Sequence, residues 1–329
     1  MINKKAFEIQ FNWIFVLIAG AAILIFFTAI ITEQKDISEK SLRTTVIKNI
    51  DAIIAGAGVS TGATSIETIQ NSNIEVSCNR ISIEGISKSY QNLILFAPSL
   101  VKGDKFVWQS KDFSVPYRAT NLLYVTSDQM RYTIIWDTNL AQGINKSLSL
   151  HLNKEFYKSM PTIKNSNNYK VRFVTFEAMI NFPKSLEKMP DSDVTAIKVS
   201  GNNEKGTLEF YQKSKSTWIL KGRSYYITEA SLIGAIFSDT IENYECNMLN
   251  VFSRLKLVTD VYSERTKKLK SATEAECEQA YDNALVQLSS IGAASLKFDQ
   301  QSVDNIANAA KLLSDENKEL QKNSCPLVY

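Results

Sequence analysis

Histidine is almost missing from this chain: among 329 residues, His151 is the only one. That removes most imidazole-based metal sites and most acid–base dyads together. Cysteine is nearly as scarce, with four residues at 78, 246, 277 and 325. None stands two to four positions from another, so the spacing of a structural zinc site is absent. There is no block of Lys or Arg, and the net charge is +3. A nucleic-acid binder usually carries a basic stripe or patch, so nucleic acid is set aside as a partner. Lys267, Lys268 and Lys270 form a short basic turn that reads as a solvated helix end. Nothing in the pattern calls for a metal or a cofactor. The composition, 44% hydrophobic and 22% charged, is that of a folded protein.

What the chain does have is one long apolar run. From Trp13 to Ile31 it reads WIFVLIAGAAILIFFTAII, without a charge. As a helix that run is about 28 Å long, the thickness of a bilayer core. Trp13 stands where an interfacial aromatic belongs. The run is longer than a removable signal needs, and no A-x-A site follows it. An uncleaved signal-anchor is expected, with the lipid bilayer as the first partner. Lys4 and Lys5 precede the run, while Lys35, Lys40 and Arg43 beyond it are mixed with Glu33, Asp36 and Glu39. The balance favours an inside N-terminus and a large extracytoplasmic part. An even number of cysteines suits disulfides in an oxidising space. Asn145-Lys146-Ser147 is a glycosylation sequon, which points the same way.

The opening KKAFEIQFNWIFVLIAG resembles the class III signal of archaeal and bacterial type IV pilin-like proteins, with Lys4-Lys5-Ala6-Phe7 at the processing site. The resemblance implies a long N-terminal helix that packs with copies of itself. The acidic residue, Glu8, comes sooner than in pilins, so the chain is expected to keep Met1 or Ile2 at its start. From this anchor to the closing SCPLVY the layout also resembles uncharacterised single-pass archaeal membrane proteins, a family that implies no activity.

Beyond the anchor, Val46, Ile50, Ile53, Ile54 and Ala57 recur at helical spacing, and Gly56 and Gly58 end that helix. Strands are expected at 74–84, 92–97, 105–109, 119–127, 131–136, 169–176, 193–199, 206–212 and 224–228, all rich in Val, Ile, Tyr, Phe and Thr. Gly201 to Gly206 is a hairpin turn, and 140–159 and 179–189 read as helical. After 240 three apolar seams follow: Tyr244 to Leu269, Cys277 to Ile291, and Val303 to Leu320. Thr273-x-x-Glu276 opens the second helix as a capping box, and Gly292 ends it. The expected architecture is α+β or α/β. It comprises a tail and transmembrane anchor at 1–32 and a stalk helix at 33–58. A mixed-sheet ectodomain follows at 59–240, then an antiparallel helical unit at 241–329, packed against it.

Two stretches invite a catalytic reading. Gly58-Val59-Ser60-Thr61-Gly62 spells the nucleophile elbow of a serine hydrolase. That elbow needs a strand before the serine and a helix after it. Here a helix comes before and a Ser/Thr/Gly-rich loop after, and His151 is the sole partner available, so the stretch reads as a helix-terminating loop. Asp191-Ser192-Asp193 matches the D-x-D of glycosyltransferases, whose carboxylates hold Mg²⁺ or Mn²⁺ against a sugar nucleotide. Those carboxylates should follow an apolar strand. Here they precede one, as a polar loop opening a strand would. Phe106, Trp108, Phe113, Tyr117 and Trp136 could line a ligand groove or fill the core.

Helix geometry orders the cysteines. If the three C-terminal helices run up, down and up, Cys277 and the segment holding Cys325 meet at one end. Cys246 lies about 36 Å away along the first helix, beyond the reach of a disulfide. Cys277–Cys325 is therefore expected, and Cys78–Cys246 follows by elimination. The sequence-level reading is a membrane-anchored, extracytoplasmic structural or binding protein. The alternative is a membrane-tethered enzyme using Asp191 and Asp193, and a third reading is a pilin-like subunit. A protein partner, or self-association through the N-terminal helix, is expected.

Overall fold

In a computed structural model, residues 20–21, 23–29, 47–56 and 62–329 are described, apart from 84, 91–92, 137, 160–161, 163–169 and 274. Two units are distinguished, 1–52 and 53–329. In the first, residues 23–29 are helical. Most of the predicted span Trp13–Ile31, Ser60, and the start of the predicted stalk lie outside the described residues. Among the described residues no helix is long and apolar enough to cross a membrane.

The second unit is α+β, with two six-stranded sheets and a helical layer. The first sheet contains β1 (Thr64–Ser77), β2 (Arg80–Ile83), β3 (Ile86–Ser89), β4 (Leu95–Phe96), β5 (Leu100–Ser114) and β6 (Arg118–Ser127). Its order is β3-β2-β1-β5-β6-β4, antiparallel except for the short parallel edge strand β4. The predicted strand 74–84 is two strands joined by a turn. Asn79 takes φ 60° there, a left-handed conformation that asparagine tolerates. The predicted loop after Gly58 is already strand from Thr64. Its Ser, Thr and Glu side chains disguise a pairing with β5.

The second sheet contains β7 (Met130–Ile135), β8 (Lys154–Tyr157), β9 (Lys170–Phe176), β10 (Val194–Gly201), β11 (Lys205–Ser214) and β12 (Thr217–Ile227). Its order is β12-β11-β10-β9-β7-β8, with β8, β7, β9 and β10 parallel. The helix α1 (Asn139–Ser147) joins β7 to β8. The predicted helix over 140–159 thus stops early, and its second half is edge strand. The predicted helix over 179–189 is only a 3₁₀ turn at Lys184–Leu186. Every residue of β7 and β9 is buried, as parallel strands covered on both faces must be. Alternation sends Tyr132, Ile134, Val174 and Phe176 to the large core with Ala141 and Ile144 of α1. Ile135, Val171 and Phe173 go to a smaller core with Ile180 and Leu186.

Between the sheets lies α2 (Thr228–Phe237), buried at every position from Ala230 to Phe237. A helix apolar all round belongs in such a place. Tyr124 Oη donates to the Ala230 carbonyl at 2.8 Å. From β9, Arg172 donates to the Ala235 and Ile236 carbonyls at the other end of the helix. Burial pushes the Arg172 guanidinium down to about 10, against the opposing pull of Asp239. A side chain at Gly234 would strike the Phe96 ring at 2.9 Å, so the helix meets the sheet there only through glycine.

Three helices close the unit: α3 (Ile241–Ala272), α4 (Ala275–Ala294) and α5 (Gln300–Lys322). Their buried seams include Tyr244, Met248, Val251 and Leu255, then Tyr281, Ala284, Leu288 and Ile291, then Val303, Ile306, Leu313 and Leu320. The same core takes in Phe96 and Phe210 from the two sheets. The helices and sheets therefore share one hydrophobic interior, with no division at 240. Two helix-end readings are corrected. Thr273 donates its hydroxyl back to the Leu269 carbonyl and closes α3. Gly292 lies inside α4, where it packs against Lys256 and Thr259 of α3.

Candidate functional site

The strand order of the second sheet makes a crevice. From β7 the chain crosses by α1 to β8 on one side, while β9 and β10 lie on the other. The two crossings leave on opposite faces, which opens a gap at the carboxyl ends of β7 and β9. Ligands of open α/β sheets bind at such switch points. A cleft of about 380 Å³ occupies this place, lined by Thr138, Asn139 and Leu140 at the α1 start, Phe176 and Glu177 at the end of β9, and Ser200 to Asn203 from the end of β10 into the β10–β11 turn. That is within the range of small-molecule sites.

Local sequence builds each wall. Thr138 caps α1, its hydroxyl accepting from the Ala141 amide at 3.1 Å. The amides of a helix's first turn have no intrahelical partners and attract polar or anionic groups. The predicted turn at Gly201–Gly206 is present, with those two glycines paired across the hairpin. Asn202 Oδ1 accepts from the Glu204 and Lys205 amides at 2.8 and 3.0 Å, and its carbonyl accepts from Tyr226 Oη at 2.7 Å. Burial pushes the Tyr226 phenol well above its ordinary value, so it stays neutral and donates. Gly201 (φ 140°) has no room for a side chain against Lys205 and Tyr226. Trp136 and Glu177, just past β7 and β9, take φ 87° and 71°. Positive φ in such residues is uncommon and clusters at clefts and switch regions.

The described lining offers a ligand hydroxyls, amides, backbone groups and a carboxylate. Glu177 is the one ionisable side chain among the described lining residues. Among the described residues no group of three or more His, Cys, Asp or Glu is arranged to hold a metal ion.

The sequence-predicted residues fall elsewhere. Asp191 and Asp193 form a 3₁₀ turn before β10, at the opposite end of the parallel strands. Asp191 pairs with Lys213 and accepts from the Lys215 amide, and the Lys213 hydrogen bond holds its carboxyl below the usual range. Asp193 lines a cleft of about 310 Å³ without it, alongside Lys170, Lys221, Asp239 and Glu242. His151 is exposed in the turn after α1. Asn145 is half-buried on α1, not in a loop, and its carbonyl accepts from Lys154 Nζ. Phe106, Trp108, Phe113 and Tyr117 are buried in the core. Trp136 is half-buried, its indole donating to the Ala178 carbonyl at 3.2 Å. Sequence reasoning missed Thr138, Glu177 and Asn202. A cap residue following the strand RYTIIW signals the first. The others depend on strand order.

The cysteines are joined as Cys78–Cys246 and Cys277–Cys325, with Cα separations of 6.0 and 6.1 Å. The second is the pair expected above from helix geometry, and the first is the pair left by elimination. The first ties the β1–β2 turn to α3, and the second ties the start of α4 to the segment after α5. No known protein family, curated protein or solved structure matches this chain.

Proposed function

We propose that the chain is a single-pass, membrane-anchored protein whose body lies outside the cytoplasm and serves a structural or ligand-binding role. The observation that carries this reading is the pair of disulfides, which uses all four cysteines. Structural disulfides form and persist in oxidising compartments. Chain-entropy reasoning for separations of 168 and 48 residues gives stabilisations of about 5 and about 4 kcal/mol. Support for the anchor comes from Ile23, Leu24, Ile25, Phe26 and Phe27, five consecutive apolar side chains in a helix, each 55–71% exposed. Lipid is the partner such a surface suits. A second copy would suit it as well, which is how a pilin-like subunit or a related archaeal cell-surface protein would use it.

Binding is preferred to catalysis because the described lining of the switch-point cleft supplies polar groups and one carboxylate, while Asp191 is held by Lys213. The test is external protease treatment of intact cells. Degradation of residues 62–329 without lysis, with the protein in the membrane fraction, is the expected result. Protection until the cells are opened would reject the orientation.

A further inference from the structure

A second cleft, of about 520 Å³, lies where α3 passes the edge of the first sheet. Its position follows from a row of polar residues on α3. Positions 243, 247, 250 and 254 are spaced by four, three and four, so they share one helix face. The first three are asparagines that hydrogen-bond the passing backbone. Asn243 Nδ2 donates to the Val76 carbonyl at 3.3 Å. Asn247 Oδ1 accepts from the Leu95 amide at 3.0 Å. Asn250 Nδ2 donates to the Leu93 carbonyl at 3.3 Å. The fourth member, Arg254, lines the cleft and makes no hydrogen bond or ion pair among the described residues. One turn further on, Thr259 and Tyr117 share a 2.6 Å hydrogen bond. That bond fixes the start of β6 against the helix, and Arg118 at that start also lines the cleft. Arg118 donates to Asn121 Oδ1 at 2.8 Å and meets no carboxylate among the described residues.

The cleft therefore has two guanidinium groups, no acidic residue among its described lining, and an apolar floor of Leu93, Ile94 and Leu123, each at most 7% exposed. Elsewhere in this unit cations such as Lys170, Lys198 and Lys213 are matched by carboxylates. Guanidinium groups recognise planar or tetrahedral oxyanions through paired N–H donors. An apolar floor beside convergent polar groups suits a ligand with both kinds of surface. We propose that this cleft binds an amphipathic anion, its carboxylate or phosphate held by Arg118 and Arg254 and its apolar body lying on Leu93, Ile94 and Leu123. The site is separate from the switch-point cleft and does not depend on where the chain is anchored.

Isothermal titration of the full chain with phenyl phosphate, phenylacetate and inorganic phosphate tests this. At least one of the two phenyl anions should bind, and more tightly than inorganic phosphate. Arg254→Gln and Arg118→Gln should each weaken that binding about tenfold, the loss of one charge-assisted hydrogen bond. Lys267→Gln, further along the same helix, should leave it unchanged. Arg254 supports no other group, so its variant keeps the fold, and circular dichroism of both variants checks this. No binding of either phenyl anion, equal binding of inorganic phosphate, or unchanged affinity in Arg254→Gln would each overturn the proposal.

Discussion

The two sheets meet the same helical layer by different means. The first is fastened to α3 by the Cys78–Cys246 bond and by Asn243, Asn247 and Asn250, the last two of which satisfy backbone at its β4 edge. The second is fastened by charge. Lys170 of β9 pairs with Asp239 at 2.6 Å, both side chains at most 6% exposed, and Arg172 holds the end of α2. Asp239 also accepts from the amide and hydroxyl of Ser99, just before β5, at 2.8 and 2.9 Å. One carboxylate thus joins both sheets. The lesson is that an antiparallel sheet with a free edge needs its backbone groups covered. The central parallel strands β7 and β9, buried throughout, have their backbone paired and must instead neutralise whatever charge they bury.

Breaking the covalent fastening should have the largest effect. Cys78→Ser with Cys246→Ser removes a cross-link over 168 residues and should cost about 5 kcal/mol in denaturant unfolding. Hydrogen exchange should then speed up first in β1 and β2. Next comes the ionic fastening. Asp239→Asn leaves the Lys170 charge buried without a counter-ion, at a cost of about 4 kcal/mol, and β9 should lose protection first. If exchange in β1 and β9 rose together in both variants, the two attachments would not be distinct. A smaller loss, about 2 kcal/mol, is expected for Asn247→Leu, which leaves the buried Leu95 amide unpaired. Thermal unfolding measures it.

The smallest effect concerns pH. The Asp191 carboxyl is lowered by its Lys213 hydrogen bond. A group lowered in the folded state stabilises above its unfolded value, about 4, and that contribution is lost as pH falls through the folded value. Asp191→Asn should therefore be slightly less stable at neutral pH, and the gap to the parent should close in acid. A constant gap from pH 7 to pH 2 would show that the charge is irrelevant.

Much of the helical layer was legible in the sequence because its physics is local. The seams through Tyr244, Tyr281 and Leu313 follow from side-chain spacing along a helix. The Cys277–Cys325 pair follows from the length of α3 and the alternating run of the helices, and Cys78–Cys246 by elimination. The sheets were less legible. Asn79 turns the chain in the middle of a run that alternates like a single strand, and the Ser and Thr of β1 conceal a pairing with β5 distant in sequence. Of the switch-point cleft only the Gly201–Gly206 turn was legible, and not its meeting with the other walls. Glu177 and Asn202 become neighbours only through the order β8-β7-β9-β10, which no local pattern encodes. Asp191 and Asp193 had the spacing of a metal motif, but Lys213, from a strand further along the sheet, takes the first of them.

The central claim, an extracytoplasmic body held by two disulfides, is tested most directly by non-reducing peptide mapping of the protein from cells lysed with thiols already blocked. The account predicts two linked peptide pairs, Cys78 with Cys246 and Cys277 with Cys325, and no blocked thiol. Four blocked thiols would put this body in a reducing compartment and contradict the account.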